Sequence, residues 1–524
     1  MTIYALKLLF PVLALFGLFA VLARPAFSEL LGADGYRKAL TILGVCTVAA
    51  FLGQDMRVVM VLLAVIGMWA ARSLGGGARG RLTAMLMLVL IMPPAHFEID
   101  GFAGINRFVD MSAIRVLSLL LLPGLALRYM SASAPPRPRW VTGVDWLFFG
   151  YQALRLALQA PHSSITVLLR LAVETTLDLL LPYYVFSRGI RSRADLRFLL
   201  THAALAGTFV AVIACAESVL HRNLYEGLQW IYGYKWQLSL GLMRGEHLRT
   251  QAMTSQPILL AFELIFIIGI WSYVSGATWK QPRTLLVFAL LAFALASTWS
   301  RGPWLGAIGF GLCLYGVRKL SPRAFGSLLV TFLGLAAVAK AVGADAWVVS
   351  ALGSLFGSDA ADLSTIDYRR QLLDTALALI KQSPLFGVPN YASQMQSLKQ
   401  GEGIIDLVNS YIAITLDTGL IGLVLYLMPY VISISRLLGA GAPGGAAAQS
   451  DGPRGVAFGR VFAALSVALL CTIFTTSTFA LMPLLLTLLL ALPVARLRMP
   501  AEEVIATPEP RSPIDLDRMS YGLR

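Results

Sequence analysis

The sequence predicts an all-α, polytopic integral membrane protein of about 12–15 transmembrane helices with one large external loop. The residues are 57% hydrophobic and only 13% charged, and mean hydropathy is +0.73. Apolar runs of about 15–25 residues, the length that spans or nearly spans a bilayer, recur along the chain. Basic residues fall in short loops between those runs, at 72–81, 128–139, 188–197, 280–283, 318–323 and 436–460, and in a tail from 496. The net charge of +14 is therefore a topology signal and not a nucleic-acid surface, and no nucleic-acid partner is expected. By the positive-inside rule these loops are cytoplasmic, and 93–112, 159–164, 220–256, 298–303 and 343–407 face the other side. Ten-residue stretches alternating apolar and polar, the mark of an outer-membrane barrel, are not apparent.

The first third, to residue 139, holds around five spans and closes in the Pro-rich loop Ala134-Pro135-Pro136-Arg137-Pro138-Arg139. Its first run, 4–23, leads straight into further spans with no small-residue cleavage site, so it reads as a span and not a signal peptide. Runs 40–52 and 58–71 are short and separated only by Gln54-Asp55-Met56-Arg57, which fits two tilted spans or part of a re-entrant element. His96, Glu98 and Asp100 alternate like a metal-ligand set, but without a fourth ligand they read as a solvated loop, and no metal is expected. Arg170, Glu174 and Asp178, spaced by four, share one helix face; a single ion pair there leaves Asp178 over. Cys46, Cys215, Cys313 and Cys471 all lie inside apolar runs with no paired spacing, as packing residues.

Four parts follow: N-terminal helices over 1–219, a core over 220–440 that includes the external loop 343–407, a C-terminal hairpin over 441–497, and a disordered cytoplasmic tail over 498–524 carrying Pro508, Pro510 and Pro513. In the core, Ser297-Thr298-Trp299-Ser300-Arg301-Gly302-Pro303-Trp304-Leu305-Gly306 interrupts two apolar runs and puts Arg301 at the tip of a membrane hairpin. Pro303 suits a helix start, and Gly302 and Gly306, four apart, let helix backbones approach closely. A guanidinium at this depth is either a bidentate partner for a phosphate or a snorkelling interfacial charge. Residues 221–236 interleave aromatic with basic and amide side chains, as an interfacial belt or a sugar-binding surface, and Arg244, His247 and Arg249 follow. In the long loop, Ser364-Thr365-Ile366-Asp367 reads as a capping box for an amphipathic helix to Lys381, with Leu373, Leu377 and Ile380 on one face and Ser383-Pro384 as its stop.

Thr298-Trp299-Ser300-Arg301-Gly302 resembles the Ser-x-Ser-Arg-Gly signature of the O-antigen ligase and Wzy-type polysaccharide polymerase superfamily, with Thr in place of the first Ser. Arg249-Thr250-Gln251-Ala252-Met253-Thr254-Ser255-Gln256-Pro257 resembles its second element. Its third is matched by Ser383-Pro384-Leu385-Phe386-Gly387, then Asp406-Leu407-Val408-Asn409-Ser410-Tyr411, then Asp417-Thr418-Gly419-Leu420-Ile421-Gly422. The resemblance covers roughly 220–440 and departs at Val408, where ligases carry a His, which favours an exopolysaccharide polymerase.

The resemblance implies a membrane glycosyltransferase of the bacterial inner membrane. It would polymerise or transfer undecaprenyl-diphosphate-linked glycan at the periplasmic face, with the lipid bilayer, an acceptor glycan and other polysaccharide export proteins as partners. On that reading Arg301 and Arg249, with Arg244, hold the diphosphate, and Ser300, His247, Asn409 and Tyr411 bind substrate. Asp406 acts as a base or, alternatively, as a helix N-cap. No Walker-type loop is present, and no cofactor is expected. An O-antigen ligase, a flippase of lipid-linked oligosaccharide and a secretion scaffold are the rival readings; the flippase would be expected to carry internal repeats.

Overall fold

A backbone that crosses hydrocarbon must satisfy its amides internally, so apolar runs of this length become helices. The computed structural model describes residues 2–53, 55–94, 96–101, 107–131, 139–232, 241–276, 281–316, 360–398, 405, 407, 409–439 and 458–499. In order come α1 (Thr2–Leu22), α2 (Arg24–Leu52), α3 (Met56–Ser73), α4 (Gly77–Ile91), strands β1 (His96–Asp100) and β2 (Arg107–Ser112), α5 (Ala113–Leu121), α6 (Pro123–Ser131), α7 (Arg139–Gln159), α8 (Ile165–Thr175), α9 (Leu181–Gly189) and α10 (Arg193–Leu220). After α11 (Leu228–Tyr232) and strands β3 (Met243–Arg244) and β4 (His247–Leu248) follow α12 (Pro257–Val274), α13 (Pro282–Ser297), α14 (Arg301–Gly316), α15 (Ala360–Gln382), α16 (Tyr391–Gln394), α17 (Ser410–Gly439), α18 (Phe458–Ile473) and α19 (Met482–Arg498). The protein is thus all-α and multi-pass, with two short antiparallel hairpins. Among the described residues six helices are long and apolar enough to cross a membrane, and α5 with α6, bent by 42°, make a seventh if counted as one span. Shorter apolar helices, α13 and α18 among them, fill the gaps between these.

Helices α10 and α12 form the centre: 89% of the most apolar window of each is buried, against 28% for α1 at the rim. Close approach depends on glycine, since a Cβ at Gly207 would strike Ile267 and one at Gly269 would strike Leu465 of α18. Runs 40–52 and 58–71 are two separate helices, with Asp55 capping the second by accepting the Arg57 N–H at 2.6 Å.

Two local expectations change. The acids of 170–178 do not pair along their own helix: Arg115 of α5 binds Glu174 at 3.1 Å and Asp178 at 2.8 Å, while Arg170 reaches the Phe108 carbonyl at 3.3 Å. One guanidinium from a neighbouring helix thus serves both acids, and Asp178 is not left over. Helix α15 starts at Ala360, so Ser364 lies within it and not at its cap. Its buried stripe is Leu372, Ala376 and Leu379, packed with Met395 and Leu416, because the helix turns toward α17; Leu377 stays exposed. The tail from 500 onward and, of the loop 343–407, residues 343–359, 399–404 and 406 lie outside the described residues.

Candidate functional site

The site is built around the break between α13 and α14. Helix α13 ends with Thr298 folding its hydroxyl back onto the Leu295 carbonyl (2.8 Å), and Trp299 then takes a left-handed conformation, φ 50°. A bulky residue rarely adopts this backbone, and the surroundings hold it there. The His247 ring stacks on the Trp299 indole at 4.3 Å, Arg244 donates to the Trp299 carbonyl at 2.9 Å, and Trp304 donates its indole N–H to the Leu295 carbonyl at 2.9 Å. Helix α14 then opens at Arg301. A Cβ at Gly302 or Gly306 would run into the Thr475 or Thr472 hydroxyl, so these glycines seat α14 on the end of α18, as their spacing predicts.

The second element folds onto this break. Arg244 and His247 face each other across the β3–β4 hairpin, which turns through Gly245 at φ 58°. Arg249 then donates its Nε to the Thr298 carbonyl at 3.3 Å and its Nη2 to the Ser300 hydroxyl at 3.1 Å. Thr250 next to it makes a backbone bond to the Ser297 carbonyl (3.1 Å) and a hydroxyl bond to the Ser297 hydroxyl (2.9 Å). Among the described residues Arg249 donates only to neutral oxygens. Burial, and then the neighbouring Arg244 charge, bring Arg249 down to about 10. Its guanidinium remains charged at neutral pH, in a place where an added anion is stabilising.

Sequence reasoning missed Glu217, which is fully buried at the end of α10. One carboxylate oxygen accepts the Gln251 and Ala252 N–H groups at 3.1 and 2.8 Å, and the other accepts that of Leu224 at 2.8 Å. This fixes the backbone directly after Arg249, including Ala252 at φ 48°. The available signal was an acid within an apolar span, where an ionisable group needs dedicated partners.

The third element is tied to the same region from below. Asn409 caps α17, its Oδ1 accepting the Tyr411 and Ile412 N–H groups at 3.0 and 3.2 Å. Ser410 donates to the Thr476 carbonyl at 2.8 Å and Tyr411 to the Leu470 carbonyl at 2.7 Å, so the start of α17 is anchored to the segment that also packs on Gly302. Asp406 and Val408 lie outside the described residues. Further along, α17 breaks at Gly419, φ 67°, where the turn after α15 inserts. The Pro384 and Leu385 carbonyls accept the Leu420 and Ile421 N–H groups at 2.9 and 3.3 Å, while Val388 donates to the Leu416 carbonyl at 2.6 Å.

The Ser-Arg-Gly helix start thus carries a folded-back arginine loop on residues 297–300 and shares the 470–476 segment with a capped third helix. Residues 286–427 match the family model described as O-antigen ligase. The match supports the O-antigen ligase and Wzy-type superfamily for this chain. The matched segment takes in Ser300, Arg301, Asn409, Tyr411 and the Gly387–Gly419 contact, while Arg244, His247, Arg249 and Glu217 precede it. A comparison with curated proteins gives no match.

Proposed function

We propose that this membrane protein is a glycosyltransferase that polymerises undecaprenyl-diphosphate-linked glycan at the periplasmic face of the bacterial inner membrane. The observation that carries this reading is the convergence of Arg249 and Arg244 on the 298–300 backbone immediately before Arg301. Guanidiniums collected there, with Arg249 bonded only to neutral oxygens, are suited to a diphosphate and to the negative charge it gains as it leaves. In the reaction the bond from the sugar's anomeric carbon to phosphate oxygen breaks, and a bond to an acceptor hydroxyl oxygen forms. The hydroxyl's proton must go to a base, and Asp406 is the residue we assign to it. Glu217 acts as a positioning residue by fixing the loop that presents Arg249. Val408 in place of a His favours polymerase over ligase, and the ligase is the alternative. On this reading the large loop is periplasmic, other polysaccharide export proteins are expected nearby, and 220–440 is the proposed catalytic core.

The test is polymer analysis in a strain lacking the gene. Loss of long polymer while single repeat units are still made identifies a polymerase; loss of transfer to a lipid acceptor alone identifies a ligase. In the complemented strain Arg301→Lys keeps the charge but loses the planar fork, and polymer output should fall severely, by about tenfold or more, at normal protein level. Near-normal output from that variant would make Arg301 a membrane anchor.

A further inference from the structure

A second polar constellation lies away from the arginine site, between α7, the break in α17 and the turn after α15. Asp417 sits two residues before Gly419, and the one charge acting on it is the Arg155 guanidinium of α7. Tyr151, Arg155 and Gln159, spaced by four, lie along one face of α7; Tyr151 packs on Tyr426 of α17 and Gln159 bonds the Pro389 carbonyl two residues before Tyr391, so that face looks onto α17 and the turn that carries Tyr391, where Tyr151 and Tyr391 each interact electrostatically with both Asp417 and Arg155. Among the described residues none of the four side chains makes a hydrogen bond or an ion pair, so the Asp417 carboxylate and the Arg155 guanidinium lie near enough to interact but too far apart to touch. None of their polar atoms is sealed from the surroundings, whereas the neighbouring Gln152 is buried with its Oε1 unpartnered. The frame is rigid. Gln159 donates to the Pro389 carbonyl at 3.2 Å, Tyr151 packs on the Tyr426 ring at 5.3 Å, and Gly387 and Gly419 lock the turn into the helix break.

Ionisable groups in a spanning helix are costly, and a pair held apart does not recover that cost by touching. A separated carboxylate and guanidinium flanked by two phenols fits a neutral polyhydroxylated ring. The carboxylate accepts from vicinal hydroxyls, the guanidinium donates to hydroxyl or ring oxygens, and the phenols do either. A phosphate is a poor fit, because Asp417 repels it.

We infer that Asp417, Arg155, Tyr151 and Tyr391 form a carbohydrate subsite that binds the hydroxyls of the acceptor glycan. Assigning the sugar to the acceptor rests on the transferase reading above. The subsite follows from the same helix that anchors the arginine region: Ser410 and Asp417 are seven residues apart, on one face of α17 and about 10 Å along its axis. A glycan laid along that face would run from the arginine region to the subsite.

The test uses the full chain in lipid nanodiscs and two probes. These are carrier-free oligosaccharides released by mild acid from the host's own surface polysaccharide, and inorganic pyrophosphate. Oligosaccharide should bind the unaltered protein, and Asp417→Asn, Arg155→Gln and Tyr391→Phe should each weaken it at least fivefold while pyrophosphate binding is unchanged. Arg249→Gln should do the reverse. Tyr391→Phe removes one hydroxyl from a residue outside the spans, so it keeps the test decisive if the charge variants fold poorly. No oligosaccharide binding to the unaltered protein, or equal binding by Tyr391→Phe and Asp417→Asn, overturns the subsite. Sensitivity to these substitutions only with lipid-diphosphate-linked sugar overturns the acceptor assignment. Failure of pyrophosphate alone counts against the arginine reading and leaves the subsite standing.

Discussion

Arg249 combines burial with a like charge from Arg244, and both effects oppose its own charge. The folded protein therefore holds the Arg249 proton less tightly than the unfolded chain does, so its protonation costs stability at every pH below about 10 and the cost is relieved only above it. A bound diphosphate offsets that cost across the same range. Pyrophosphate should accordingly raise the melting temperature at both pH 6 and pH 9, with Arg249→Gln abolishing most of the shift at each. Loss of the shift at pH 9, where the Arg249 guanidinium is still charged, would overturn Arg249 as the diphosphate's partner. The identity of these residues was legible in the sequence, but their contact was not. Arg249 and Ser300 are 51 positions apart, and no helical or strand period relates them. Only the resemblance put them in one site. Arg115, 63 positions from Asp178, escaped notice for the same reason, since pairing along one helix is the only ion pairing that spacing reveals.

At the scale of elements, the contact between Gly387 and Gly419 joins the external helix α15 to the membrane helix α17. Both glycines have positive φ, +71° and +67°, and a Cβ on either would meet the backbone of the other segment. Gly419→Ala should cost about 1–3 kcal/mol from backbone strain alone, plus the loss of the inserted turn, and should lower the melting temperature and expose α15 to protease. Gly309, inside α14 with open space where its Cβ would be, provides the control. Gly309→Ala should be neutral or stabilising by up to about 1 kcal/mol. If both substitutions behave alike, the turn is not a lock. Much at this scale was readable: the Gly302 and Gly306 spacing, the stop at Ser383-Pro384 and the existence of a helix before it follow from local chemistry, whereas α14 opens at Arg301, two residues before the predicted start at Pro303. What was misread, the α15 start and its buried stripe, depends on Met395 and Leu416, tertiary neighbours that a helical period does not disclose.

Across the whole molecule, charge separates along the α10 axis. Its 28 residues span about 42 Å, enough to put its two ends on opposite sides of a hydrocarbon core about 30 Å thick. At the N-terminal end Arg79 meets Asp195, Arg188 pairs with Asp145 at 2.6 Å, Arg197 donates to the Val274 carbonyl, Arg498 donates to the Ser187 carbonyl and Arg283 pairs with Glu29. Glu217, the Arg249 loop and, through it, the α13–α14 break gather at the other end. Orientation is set by Lys and Arg near the span ends, and acidic partners change that bias little, so the positive-inside rule predicts that the first end is cytoplasmic. Alkaline phosphatase fused after Gln394 should therefore be active and the same enzyme fused after Arg498 inactive. A cysteine at Glu246, exposed in the β3–β4 turn, should react with a membrane-impermeant maleimide in intact spheroplasts, and one at Arg191 should react only after lysis. The opposite pattern in both assays would put Arg249 and Arg301 in the cytoplasm, where a periplasmic glycan could not meet them, and the transferase reading would fall with it.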